Sequence, residues 1–165
     1  MKLRKAVTAA VIAAVYAALT LILLPLSFGA VQCRISEVLT VLPIFTPVGV
    51  TGLTLGCFVS NIFSTVTPVD MLFGTSATLI AALLTRCLRN IKLWKIPFLS
   101  LLAPVVVNAV IIGLEITLFV PGNASFTAFL ISAASVGIGQ LIPCVLLGVP
   151  FYLLIEKSNL KKFFK

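Results

Sequence analysis

Between Ala6 and Leu84 the chain has only three charged residues, Arg34, Glu37 and Asp70, in a run that is otherwise uncharged and mostly apolar. An ionisable side chain at hydrocarbon depth costs a few kcal/mol and persists where it is paired or functional. A soluble domain is about one quarter charged. Here 10% of the 165 residues are charged and 61% are hydrophobic, with a mean hydropathy of +1.24, too few charges to coat a water-facing surface. The apolar runs have the length of membrane helices, not of the shorter strands of a membrane barrel. The reading is an all-α integral membrane protein forming a single transmembrane domain over residues 1–165.

The net charge of +8 lies in blocks. Lys2, Arg4 and Lys5 precede the first apolar run; Arg86, Arg89, Lys92 and Lys95 share one loop; Lys157, Lys161, Lys162 and Lys165 lie in the tail with Glu156. Blocks of this kind orient a membrane protein and do not line a nucleic-acid groove. The four cysteines, Cys33, Cys57, Cys87 and Cys144, form no C-x-x-C pair, and there is no His, so no metal spacing is present. Cys57 and Cys144 read as small buried hydrophobes. No G-x-x-x-x-G-K-[ST] loop occurs, so the chain cannot hold ATP in that manner. No cofactor and no catalytic constellation is expected.

Ala6 to Leu26 is an apolar run longer than the apolar part of a signal peptide, so it reads as a retained helix rather than a segment cleaved near Gly29 or Ala30. Ala6, Ala10, Ala14 and Ala18 form one row along it, and Ala9, Ala13 and Ala17 the next. Such ridges allow another helix to approach closely, from a partner or from the same chain. Pro25 and Gly29 end this helix. Arg34 to Phe45 reads as a short second helix, and Val48 to Val66 as a third with Gly52-x-x-x-Gly56 for close packing. These two are short for full spans, so at least one must be shielded by its neighbours.

Thr67-Pro68-Val69-Asp70 has the form of a helix start, with Thr67 as cap and Asp70 able to reach back to it. The fourth helix runs to about Leu84. The fifth spans Pro97 to about Val120, with Asn108 and Glu115 seven apart on one face. Asn123-Ala124-Ser125 matches a glycosylation acceptor by chance frequency alone. The last run, Phe126 to Ile155, is kinked at Pro143 and Pro150 and holds Gln140. Six transmembrane helices put both termini and eleven of the twelve basic residues on the cytoplasmic side, leaving Arg34 outside.

In that topology Arg34, Glu37, Asn61, Asp70 and Glu115, from four helices, share one outer layer, with Asn108 deeper. Arg34 and Glu37 can also be read as a simple i, i+3 pair. One positive against three negative charges favours a ligand with several N–H donors, or an amine, over an anion. Phe28, Phe63, Phe73, Phe119 and Phe126 lie near the same level and could stack on a flat ring.

The stretch Gln32-Cys33-Arg34-Ile35-Ser36-Glu37-Val38-Leu39-Thr40-Val41-Leu42-Pro43 resembles the signature of the QueT-type transporters. Gly52-Leu53-Thr54-Leu55-Gly56-Cys57 with Asn61, and Asp70-Met71-Leu72-Phe73-Gly74-Thr75-Ser76-Ala77-Thr78-Leu79, resemble it too, in the family's order over nearly the whole chain. That resemblance implies the substrate-binding S-component of an energy-coupling-factor (ECF) importer, taking up a queuosine precursor, a 7-deazaguanine base, across a prokaryotic plasma membrane. It implies a transmembrane coupling protein and two cytoplasmic ATPases as partners, with the first helix docking through Ala9, Ala10, Ala13, Ala14, Ala17 and Ala18. It makes Gln32, Arg34, Glu37, Asn61, Asp70, Asn108 and Glu115 the candidate substrate contacts. An S-component for another vitamin, a proton-coupled carrier using Glu37, Asp70 or Glu115, and a membrane enzyme are the competing readings. The carrier lacks a visible inverted repeat, and the enzyme lacks His, a metal spacing or a Ser/Lys pair.

Overall fold

The computed structural model describes residues 2–27, 32–64, 67–119 and 125–158, and of Thr67 the backbone alone. Phe28 to Val31, the Asn123-Ala124-Ser125 acceptor other than Ser125, and the tail lysines beyond Ser158 lie outside the described residues, as does the side chain of Thr67. Six helical segments make up the rest: α1 (Lys2–Ile22), α2 (Ile35–Phe45), α3 (Val48–Asn61), α4 (Thr67–Leu88), α5 (Phe98–Phe119) and α6 (Phe126–Lys157). Four of them, in α1, α4, α5 and α6, are long and apolar enough to cross a membrane.

The apolar side chains are distributed as in a membrane protein. Leu3, Ile22, Leu72, Phe63, Ile131 and Leu146 are all more than half exposed. Polar side chains instead fill the interior: Thr20, Ser36, Glu37, Thr40, Ser60, Asn61 and Gln140 are all buried. In hydrocarbon this inversion is favourable, because lipid solvates Leu and Ile well and a buried hydroxyl can find a protein partner.

At the centre stands α2. It begins as a tight 3-10 turn over Ile35–Val41 and relaxes to α geometry over Leu42–Phe45. The tight winding has local causes. Pro43 has no N–H to return to the preceding turn, and the Thr40 hydroxyl takes the Glu37 carbonyl at 2.6 Å. The element is about 20 Å long, short for the hydrocarbon core. Its shielding comes from neighbours: Leu39, Val41 and Leu42 pack in one core with Ile12 and Tyr16 of α1, Leu53 and Cys57 of α3, Leu101 of α5 and Tyr152 of α6. Arg86 of α4 closes its far end, donating to the Pro43 carbonyl at 3.1 Å. A second core of Ala77, Ala81, Val107, Ile112 and Val136 joins α4, α5 and α6.

Helix α3 ends at Asn61, five residues earlier than the sequence suggests, while α4 runs on to Leu88, past Leu84. The α1 helix stops at Ile22, before Pro25, and a single turn, Leu24–Ser27, follows. In α6 the proline effect appears at Pro143. Its missing N–H breaks the ordinary ladder, and Ile142–Leu147 widens to a π turn. Pro150 is accommodated within the helix that follows. At 32 residues, α6 is about 48 Å long, well beyond the hydrocarbon thickness. Ser125 caps its start by accepting the Ala128 N–H at 3.1 Å.

The two alanine rows of α1 have different surroundings. Ala9 and Ala17 are buried, and Ala13 is half-buried against α3. The contact is backbone-close: a Cβ on Gly52 would lie 2.7 Å from Ile12 Cβ, and one on Gly56 2.8 Å from the Ala13 carbonyl and from Tyr16 Cβ. Ala6, Ala10, Ala14 and Ala18 are exposed. The inner row therefore meets the glycines of α3, and the outer row faces away from the protein.

Gly56→Leu forces α1 and α3 apart and is expected to destabilise the detergent-solubilised protein by about 1–3 kcal/mol, the usual range for overpacking. Gly137→Ala, where the added Cβ meets only Ala109 Cβ at 3.4 Å, is expected to change thermal stability little. Equal melting temperatures for the two variants would contradict the close approach at Gly56.

Candidate functional site

The residue to start from is Arg34, which is 3% exposed. It sits in extended backbone just before α2, and its carbonyl accepts the Glu37 N–H at 3.0 Å, so the two residues open the tight turn together. Its guanidinium reaches the Ser27 carbonyl through Nε at 3.4 Å and Cys57 Sγ through Nη1 at 3.9 Å. It lies within electrostatic reach of Glu37 and Asp70, and of Glu115. Three of the four acidic residues of the chain are thus within electrostatic reach of one cation, in a region where each charge alone would be costly.

Glu37 is fully buried. Its Oε1 accepts the Tyr16 hydroxyl of α1 at 2.5 Å, and its Oε2 has no hydrogen-bond partner among the described residues. Beside it, Thr20 and Ser36 hydroxyls meet at 2.7 Å. The Arg34–Glu37 relation is therefore more than an isolated i, i+3 pair: the carboxylate is held by a different helix and keeps one oxygen unsatisfied.

At the α3–α4 end, Asn61 donates from Nδ2 to the Asp70 carbonyl at 2.8 Å and to Cys57 Sγ at 3.4 Å, and its Oδ1 has no partner among the described residues. The Asp70 carboxylate accepts the Ser64 hydroxyl and is a hydrogen-bond neighbour of the Glu115 carboxyl. Glu115 Oε2 is again buried without a partner. Asp70 is thus in the first turn of α4, where the sequence places it, with its side chain bonded to Ser64.

Gln32 and Gln140 meet across the chain, Gln140 Nε2 donating to the Gln32 carbonyl at 3.2 Å. Gln32 has a left-handed φ of 46°, uncommon for a residue with a side chain. This contact brings Gln140, from the interior of α6, beside the segment that leads into Arg34. Asn108 is buried, two turns below Glu115 on α5, and no hydrogen bond among the described residues ties it to the cluster. Of the aromatic rings, Phe73 and Phe119 pair edge to face at 5.6 Å. Phe63 and Phe126 are 57% and 74% exposed, so they face outward and do not line the layer.

Cys57, Tyr16 and Gly74 belong to the cluster and are not picked out as site residues by sequence reasoning. Cys57 is not the plain hydrophobe that its apolar context suggests: Thr78 Oγ1 donates to its sulfur at 3.1 Å and the thiol points to the Gly74 carbonyl at 3.5 Å. A Cβ on Gly74 would come within 2.7 Å of Asn61 Nδ2. The available signal for Tyr16 was a lone phenol in an alanine-rich helix; for Gly74, a glycine inside the Asp70–Leu79 motif. Among the described residues no three His, Cys, Asp or Glu side chains converge on a metal position. What the cluster can do chemically is accept hydrogen bonds. Glu37 Oε2, Asn61 Oδ1 and Glu115 Oε2 are three buried acceptors without donors, a rare condition in a folded protein.

The queuosine precursor transporter QueT of Lactococcus lactis subsp. cremoris (strain MG1363) is 38% identical over 76 residues, a match covering 45% of this chain and 44% of that protein. The match thus spans less than half the length of that relative. No solved structure matches. The family model for the QueT transporter matches residues 6–157, which takes in all six helices and every member of the buried cluster. The chain is a membrane protein that belongs to the QueT transporter family.

Proposed function

We propose that the chain is the S-component of an ECF-type importer, a six-span subunit of the prokaryotic plasma membrane with both termini cytoplasmic. It captures a 7-deazaguanine queuosine precursor at the outer face. The observation that carries this reading is the set of three buried acceptors, Glu37 Oε2, Asn61 Oδ1 and Glu115 Oε2, left without donors around Arg34. A guanine-like ring offers donors for them: a ring N–H and an exocyclic amine on one edge, and a pyrrole N–H on the other. Its carbonyl suits the Arg34 guanidinium. The name of the Lactococcus lactis relative supports the same ligand class.

The chain contains no P-loop, so in this reading a transmembrane coupling protein and two cytoplasmic ATPases drive the import. The exposed row Ala6, Ala10, Ala14 and Ala18 is the docking surface for the coupling protein, since small residues let helix backbones approach closely in lipid. Ala9, Ala13 and Ala17 serve internal packing. The carrier reading keeps one observation of its own, the neighbouring carboxyl groups of Asp70 and Glu115, where a transported proton could be taken up. Co-purification from the native membrane separates the two: ATPases that co-purify support the importer, and uptake by the chain alone, driven by a proton gradient, supports the carrier.

Purified protein is expected to gain thermal stability with a 7-deazaguanine base and without ATP, as any ligand selective for the folded state produces. Glu115→Gln is expected to weaken binding by about 1–3 kcal/mol, the value of a hydrogen bond to a charged group. Asp70→Asn, which alters the bond from Ser64, is expected to cost more in stability and less in affinity. Stabilisation by riboflavin, biotin or thiamine but not by deazaguanines would overturn the substrate assignment.

Docking gives a second prediction. Ala14→Leu on the exposed row is expected to abolish whole-cell uptake while the isolated protein still folds and binds the base. Ala13→Leu, against Gly56, is expected to damage folding and binding together. Normal uptake by Ala14→Leu would remove the outer row from the docking surface.

A further inference from the structure

We infer that Cys57 is a positioning residue for ligand recognition: its thiol fixes the carboxamide of Asn61 so that Oδ1 faces the bound base. This rests on the reading of the layer as the ligand site and adds a residue that neither the sequence pattern nor the comparisons assign.

The argument begins with Asn61. Its Nδ2 has two N–H groups and both are used, one on the Asp70 carbonyl at 2.8 Å and one on Cys57 Sγ at 3.4 Å. A backbone carbonyl can only accept, so the contact with Asp70 decides which end of the amide is nitrogen. The oxygen then points the other way, fully buried and without a donor among the described residues. One contact alone would leave the amide free to swing about its bond to the Asp70 carbonyl. The second contact, to sulfur, fixes its plane.

The sulfur is itself fixed. Cys57 is fully buried on α3, its thiol is directed at the Gly74 carbonyl at 3.5 Å, and Thr78 Oγ1 donates to it at 3.1 Å. With the thiol hydrogen directed to α4, the sulfur lone pairs remain for Thr78, for Asn61 and, at 3.9 Å, for Arg34 Nη1. Gly74 completes the arrangement. A side chain there would occupy the place of the amide nitrogen, 2.7 Å away. A thiol suits this position because sulfur is large enough to reach donors from three directions and is a weak acceptor. It orients the amide without competing with the ligand for Asn61 Oδ1.

The test uses full-length protein in detergent, 7-deazaguanine as probe, and four variants. Cys57→Val adds one heavy atom and has no acceptor; it is expected to bind the base about tenfold more weakly, the loss of roughly one hydrogen bond. Cys57→Ser restores an acceptor and donor and is expected to recover most of the affinity. Asn61→Ala removes the group being positioned. In the double variant Cys57→Val with Asn61→Ala, affinity is expected to match Asn61→Ala alone, because residues acting through one group are non-additive. If Cys57→Val fails to fold, Cys57→Ala takes its place in the same cycle. A Cys57→Val protein that binds as wild type, or that loses the same factor in both backgrounds, overturns the positioning role while leaving the function intact. Wild-type protein that does not bind 7-deazaguanine overturns the functional reading, and this inference with it.

Discussion

One guanidinium buried among three carboxyl groups is the constraint on which the rest of this structure depends. Isolated in hydrocarbon, Arg34 would be expelled or would pull water in after it. Here Glu37, Asp70 and Glu115, supplied by α2, α4 and α5, lie within its electrostatic reach. Those helices can only meet at one point if the element carrying Arg34 and Glu37 passes through the middle of the bundle. That accounts for the short, shielded α2, and for the glycines at 52, 56 and 74 that let neighbouring backbones and amides come close. The cluster leaves buried acceptors that the described residues do not satisfy, a cost that a donor-rich ligand would offset in the proposed reading.

Helix α1 connects this interior with the outside surface. Its inner face gives Tyr16 to Glu37 and Thr20 to Ser36, so the carboxylate of the binding layer is bonded to the same helix whose opposite face shows a clear alanine row. A rigid helix with a polar contact on one side and a smooth surface on the other suits a subunit that binds a ligand and docks through the same element.

Much of this was legible in the sequence because the signals were of a kind that periodicity and charge report directly. Six apolar segments, the basic blocks, and the polar residues at the start of α2, the end of α3 and the start of α4 follow from single positions along the chain. The division of the alanine rows did not follow: both have the same spacing, and only the contact of Gly52 and Gly56 with α1 separates them. The contact of Gln140 with the Gln32 carbonyl did not follow either, because the two residues are 108 apart in the chain and no periodicity links them. Cys57 reads as apolar because most of its polar contacts come from Thr78, Gly74 and Arg34, which are distant in sequence; only Asn61, one turn on along α3, was a local signal.

The central claim is that the unsatisfied acceptors around Arg34 exist to receive ligand N–H groups. The most direct measurement is the equilibrium affinity of the purified protein for 7-deazaguanine against 7-deazahypoxanthine, which has the same ring and carbonyl but lacks the exocyclic amine. The account predicts that the analogue binds about 10- to 100-fold more weakly, since a buried acceptor is left without its donor. Equal affinity for the two bases would contradict it.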